Sequence, residues 1–309
     1  MSFAAQEQAL FDLLFDRTLR ENFIRNPETA LAPYRLSPAE VDDFRLIRPD
    51  ALAFDARLRT GLILSQLCRN FPLSFSLMSS VPEWLDKLQA LVDRETMRAP
   101  PLERATVFGM RLRDLVTETA FSSPEEQQAA AAILDAELGM VWTSAMLKGF
   151  VLEGGSLAQP PAGVPEGWLA LPARPAAFVS AILIPQPYEA LKQALCPCTG
   201  TELWRQLGKT PLATADRQRI LQVHNPRLLV LRATLTRISR CDPDVDHRTV
   251  ELPEGFASLF EHLDGSGSIG DLLAGLVQAG APAGLLQSVQ SGFLQLLQCG
   301  MLETVSYRN

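Results

Sequence analysis

Apolar positions recur with a helical period through the first 150 or so residues and switch to a period of two only later. Leu10, Leu13 and Leu14, with Arg17 and Thr18 a turn away, give a helical stripe that ends near Asn26-Pro27. Ser37-Pro38-Ala39-Glu40 predicts a helix start, with serine as N-cap, proline in the first turn and glutamate at the capping-box position. A long helix is expected near 50–69, with Leu58, Leu62, Leu64 and Leu67 on its buried side. Pro72 and Pro82 punctuate the next stretch of chain. Two more amphipathic helices are expected around 101–120 and 124–148, the second opened by Ser123-Pro124-Glu125-Glu126. Phe11, Phe15, Phe23, Phe44 and Phe54 fall at helical spacings and are expected in a core. Trp84 and Trp142 are read the same way, although tryptophan also suits a partner interface. This half predicts an all-α domain over 1–152.

Gly154-Gly155 and five prolines between Pro160 and Pro175 then change the composition, so 153–176 is expected to be an extended, semi-rigid linker. Beyond it, 176–184 predicts a short strand, 188–195 a helical turn, and 201–208 and 214–222 short helices. Arg227 to Ile238 alternates, with Leu229, Leu231, Ala233 and Leu235 on one face and Arg232, Thr234 and Thr236 on the other, as a half-buried strand does. A turn through Cys241-Asp242-Pro243-Asp244 leads to a second strand, His247 to Leu252. Helices are expected at about 254–263, 268–279 and 282–299, and a final strand or wing at 301–306. The fold class is therefore mainly α with a small β-sheet: an all-α domain, a linker, and an α+β domain over 177–309 with its core at 227–306.

The totals narrow the function classes. A chain of 309 residues suits two ordinary domains. No apolar run reaches the about 18 residues a membrane helix needs, and the acidic residues within MSFAAQEQALFDLLFDRTLRENF are unlike a secretory signal. A cytoplasmic location and no membrane partner are expected. Five scattered cysteines (Cys68, Cys196, Cys198, Cys241, Cys299) are no disulfide framework and agree with a reducing compartment. A net charge of −7 argues against nucleic acid as the main partner.

In the second half, LPEGFASLFEHLDGSGSIGDLLAGLV followed by VQSGFLQLLQCGMLE resembles PqqD-like domains, the RiPP recognition elements. The matching residues are Pro253-Glu254, Leu263-Asp264-Gly265, Ser268-Ile269 through Leu272-Leu273, and Phe293-Leu294 through Gly300-Met301-Leu302-Glu303. The resemblance covers roughly 80 residues and implies a winged-helix-like fold that takes a precursor's leader segment as an added strand. It places the receiving strand at Thr249, Val250, Glu251 and Leu252, and the docking helix at Leu285, Leu286, Val289, Gln290 and Phe293. Family members usually have a further strand after the Pro-Glu, where Phe256 to Phe260 here reads as helix, so the receiving edge is open to displacement. A helical domain joined to such a module is also similar to the MbnC and TglI group, partners of iron-dependent oxidases of the MbnB and TglH family. That likeness implies a non-catalytic accessory subunit in a heterodimer with the oxidase. It would bind a ribosomally synthesised precursor peptide and present its cysteine, with iron in the partner and no cofactor in this chain.

Other chemistry finds little support in the residues. His224, His247 and His262 are far apart, and Cys196-Pro-Cys198 lacks a second pair, so no metal site is expected. There is no G-x-S-x-G elbow, and no cysteine with a histidine and acid nearby in sequence, so no catalytic residue is expected. The G-x-G-x-x-G from Gly265 to Gly270 follows a helix rather than a strand and reads as a turn. A winged-helix regulator of DNA and a stand-alone enzyme are the alternatives, yet 282–299 holds no lysine or arginine to meet phosphates. Between Arg217 and Arg248, seven arginines (217, 219, 227, 232, 237, 240, 248) face three aspartates (242, 244, 246). Two readings stand: an acidic peptide pairing with Arg232 or Arg237, or a solvated strand face whose arginines bridge to the aspartates.

Overall fold

The structure, a computed structural model, describes residues 3–119, 121–157, 163–198, 200–222, 225–237 and 243–305. It is 64% helix and 12% strand, so the protein is mainly α with a small antiparallel sheet. The helices of the first half are α1 (Phe3–Phe15), α2 (Arg17–Arg25), α3 (Pro27–Leu31), α4 (Pro38–Arg45), α5 (Pro49–Asn70), α6 (Pro72–Ser79), α7 (Trp84–Leu91), α8 (Arg94–Arg98), α9 (Arg104–Glu118) and α10 (Pro124–Leu152). The second half continues with β1 (Ala173–Pro175), β2 (Val179–Ile184), α11 (Tyr188–Leu195), α12 (Gly200–Lys209), α13 (Thr214–Leu221), β3 (Arg227–Arg237) and β4 (Asp244–Pro253). The chain closes with α14 (Phe256–Glu261), α15 (Ile269–Gln278), α16 (Ala283–Gln298) and β5 (Leu302–Thr304).

Two compact units divide the chain: Met1–Leu115 with Cys198–Thr214, and Val116–Pro197 with Ala215–Asn309. This grouping falls elsewhere than the expected 1–152, 153–176 and 177–309. The helix α10 goes with the second unit and α12 with the first.

In the first unit the opening stripe is two helices, α1 and α2, rather than one, and a third, α3, starts where the stripe was expected to end. The Asp16 side chain accepts from the Leu19 amide and that of Asn26 from the Thr29 amide, and each starts a new helix. Ser37 and Glu40 form the expected capping box. Leu13, Phe23, Leu31, Phe44 and Leu52 share one core cluster. On α5 the inward residues are Leu52, Ala56, Thr60, Leu64 and Leu67. Leu58, Leu62 and Phe54, expected inside, are instead exposed, because four-residue steps from Leu52 put smaller side chains on the packed face. Buried Asp12 accepts from Arg98 at 2.8 Å and from the Tyr34 hydroxyl at 2.8 Å. Burial, reinforced by that bond, pushes the Tyr34 pKa up to about 12.

The second unit is built on an antiparallel sheet in the order β2-β3-β4. Leu228 and Val230 of β3 face a cluster with Val250, Leu252, Phe256, Val289, Phe293 and Leu296. Leu229 and Leu231 face Ala136 and Met140 of α10, with Ile184 and Tyr188. The start of β3 is therefore buried on both faces, where alternation predicted a half-buried strand: α10 covers the apolar face of Leu229 and Leu231, and α14 and α16 cover the start of the face expected to be wet, at Leu228 and Val230. Gly139 lets α10 approach: a Cβ there would lie 3.0 Å from Ile182 Cδ1. The helix α10 is also long and apolar enough to cross a membrane by length and composition, with mean hydropathy 1.3 over 18 residues. This corrects the expectation that no stretch would reach that length; 44% of the window is buried within the protein.

The stretch expected as a linker is partly structured. Ala173 to Pro175 pair with Leu302 to Thr304, and Ala173 is fully buried beside Trp168 and Leu169. Apolar side chains among the prolines cover the end of the second core and tie the segment down. Residues 158–162 of that stretch, His224, Ile238, Arg240, Cys241 with Asp242, and the end of the 301–306 strand lie outside the described residues.

Candidate functional site at the end of the sheet

The strands of the sheet are unequal in length, and this makes the site. The strand β2 begins at Val179, opposite Arg232, and the Phe178 carbonyl still accepts from the Ala233 amide at 3.1 Å. Beyond that bond β3 continues to Arg237, with no strand on its β2 side among the described residues. Alternate residues of an antiparallel strand send both backbone groups to the same side, so Leu235 presents its amide and carbonyl to this free edge. The outer edge of β4 likewise carries no strand among the described residues. Edges of this kind accept a further extended chain.

A cavity of about 350 Å³ lies beside the free stretch of β3, lined by Phe178, Arg232, Leu235, Arg248, Leu297 and Cys299 among others. Arg232 and Arg248 are direct cross-strand partners, so their side chains rise on the same face. Arg232 donates through Nη1 to the Gly300 carbonyl, while its buried Nε has no partner among the described residues. Gly300 ends α16 with φ of 68°, the left-handed turn that leads into β5. Burial, and then the Arg248 charge, hold the Arg232 pKa below its usual value, against the pull of Glu303. Glu303 is itself engaged by Arg174 at 2.7 Å. Among the described residues neither Arg232 nor Arg248 has a carboxylate within ion-pair distance; the acid that acts on Arg232 is Glu303, which is held by Arg174.

An apolar stripe adjoins the cavity. Phe150 of α10 packs on Phe178 with ring centroids 5.6 Å apart. Met146 and Trp142 precede it at four-residue steps along the same helix, each close to half exposed. Trp142, expected in the core, lies outside because the packed face of α10 is carried by Ala136, Met140, Thr143 and Leu147. Trp84 belongs to a half-buried aromatic series in the first unit, 5.9 Å from Trp204.

The expected peptide-binding residues divide into two groups. Arg232 lines the cavity, and Arg237 is exposed at the end of β3, across from Asp244. Thr249 is exposed on β4, and Glu251 is half-buried, accepting from the Tyr188 amide at 3.0 Å. Leu285, Leu286 and Gln290 keep some or all of their surface. Val250, Leu252, Val289 and Phe293 are no docking surface: all are 5% exposed or less and form the second core. The sheet itself packs on that face of α16, and a Cβ on Gly292 would overlap the Phe256 ring. Sequence reasoning missed Arg248, Phe178, Leu297 and Cys299. Arg248 stands in the sequence as one arginine among seven, and only the strand register pairs it with Arg232.

Among the described residues no cluster of three or more histidine, cysteine or acidic side chains is placed to hold a metal. The Gly265 to Gly270 stretch runs from the connection after α14 into the first turn of α15, and the Gly265 amide donates to the Ala173 carbonyl at 3.0 Å. In comparisons with known proteins, no family model, curated protein or solved structure matches this chain.

Proposed function

We propose that the chain is a non-catalytic accessory subunit that binds an extended, acidic segment of a ribosomally synthesised precursor peptide. The segment adds to the free edge of β3 near Leu235 and sets a carboxylate between Arg232 and Arg248. One observation carries this reading: two cross-strand arginines, neither ion-paired among the described residues, share a cavity with a strand edge that no described strand pairs. Like charges held opposite one another are unfavourable, so an anion there gains the attraction and relieves the repulsion. Main-chain hydrogen bonds would supply affinity, and the pocket at Phe178 and Leu297 would select an apolar neighbour of the acid.

The wider reading rests on the likeness to RiPP recognition elements and to the partners of iron-dependent oxidases. In it the C-terminal region is a PqqD-like, winged-helix-like module, and the chain forms a heterodimer with an oxidase that holds the iron. This chain contributes local concentration and orientation of the peptide cysteine. The receiving edge moves from β4 and α16, where the likeness placed it, to the end of β3.

The test is isothermal titration of the full chain with the candidate leader peptide and with a copy whose acids are amidated. Arg248→Gln should weaken binding of the acidic peptide about tenfold, the worth of one charge-assisted hydrogen bond, and leave the amidated copy unaffected. Arg248 is the better probe, since Arg232 also holds the turn at Gly300. Equal affinity of both proteins for the acidic peptide would sink the assignment.

A further inference from the structure

We propose that the cavity between α1, α2, α5 and α7 binds a free apolar α-amino acid of about the size of leucine, its carboxylate held by Arg20 and Arg57 and its ammonium by Asp86. The inference is independent of the peptide reading. The cavity measures about 220 Å³ and lies wholly within the first unit. That volume falls below the roughly 300 Å³ at which drug-sized sites begin, so the occupant is small. Leu14, Ala56 and Val92, all buried, form an apolar wall with half-buried Phe15.

The charges around the cavity identify the class of ligand. Arg17 is engaged by Glu21 at 2.9 Å, and Asp93 accepts from the Thr96 amide at 3.0 Å and from Arg111. Three charges remain. Among the described residues Arg20, Arg57 and Asp86 have no ion-pair partner, although all three line this one cavity. Opposite charges that share a cavity yet lie beyond ion-pair distance leave room for a group that bridges them. Arg20 is set in place for this: its Nη1 donates to the Leu13 and Leu14 carbonyls at 2.9 and 3.1 Å. Those bonds fix the guanidinium at the end of α1 and leave Nε and Nη2 without a partner among the described residues. Burial, and then the Arg17 charge, hold the Arg20 pKa below its usual value, against the pull of Glu21 and Asp16. A carboxylate against Arg20 gains charge-assisted hydrogen bonds and offsets both penalties. Phosphate or another dianion would meet the Asp86 charge, and a simple amine would meet the two arginines. A zwitterion satisfies all three groups, and the wall at Leu14, Ala56 and Val92 adds an apolar side chain to the requirement.

Isothermal titration of the full chain with L-leucine tests this, with a dissociation constant of about 1 mM or below expected. N-acetyl-leucine, which lacks the ammonium, and leucine amide, which lacks the carboxylate, should each bind at least about tenfold more weakly. Glycine should do the same for want of a side chain. Arg57→Gln and Asp86→Asn should each weaken L-leucine about tenfold, with unchanged melting curves because both side chains are exposed. Asp86→Asn should weaken N-acetyl-leucine no further, since that ligand has no cation for Asp86 to meet. No saturable heat with L-leucine up to about 10 mM overturns the proposal. So does inorganic phosphate that binds as tightly as L-leucine, or an L-leucine affinity indifferent to either substitution.

Discussion

His247 is the one described histidine held inside a packed layer. Its Nε2 lies 3.2 Å from both the Thr143 and Ser144 hydroxyls of α10. Burial holds its pKa below the usual value, opposed by a hydrogen bond at the Met140 backbone and by the Asp246 charge. The unfolded chain therefore takes up this proton more readily than the folded one. Stability from this group is complete above the unfolded pKa near 6.5 and is lost as pH falls from there towards the lower folded value, by up to about 1.4 kcal/mol per pH unit. His247→Asn should flatten that part of the stability curve between about pH 7 and pH 5.5, as monitored by thermal melts. Parallel curves for the two proteins would refute the assignment. None of this is legible in the sequence, which places His247 on a strand; only folding sets it against two hydroxyls some hundred positions earlier. Arg232 is legible, since its alternation phase and the local excess of arginine both point to it.

Elements are more faithfully encoded locally than their surroundings. The capping signals at Ser37, Ser123 and Ser268 start helices because each side chain satisfies a local backbone amide. Periodicity reports that a helix has an apolar face but not what covers it. That is why Phe54, Leu58 and Leu62 on α5 can pass for core; Val289 and Phe293 on α16, given a docking role by the family resemblance, are likewise covered by the sheet. The helix α10 is apolar on two sides, one against the sheet and one carrying Trp142, Met146 and Phe150. A partner that modifies a peptide held at Arg232 and Arg248 must bind beside that cavity, and the α10 stripe adjoins it through the Phe150–Phe178 contact. If the proposed oxidase partner docks there, Trp142→Glu should abolish co-purification with it, a loss of about 2 kcal/mol or more for a tryptophan at a hot spot. Peptide affinity should stay unchanged by titration. Retention of the complex would remove α10 from the interface.

At the scale of the whole molecule, the composition break at 153–176 is real as a change of sequence, yet the compact units do not follow it. A chain cut after residue 152 keeps α10 but loses the sheet on which Ala136 and Met140 pack. The 1–152 piece should expose that face, bind a hydrophobic dye and melt without a sharp transition. A cooperative melt with no dye binding would show that the piece holds its own core. Proline and glycine content misplaces the boundary because composition reports local stiffness, whereas unit membership depends on which apolar faces meet.

By itself the sequence determined the local objects: helices through capping and a 3.6-residue period, strands through alternation, and the turn at Gly300 through the left-handed backbone that glycine tolerates. These are set within a few residues by sterics and neighbouring hydrogen bonds. Tertiary structure alone decided that α10 lies on the sheet, that β2 stops short of the end of β3, and that Arg232 meets Arg248 across the hairpin. Those facts depend on strand register and on the partner of each apolar face, which are settled by burial between residues far apart in the chain.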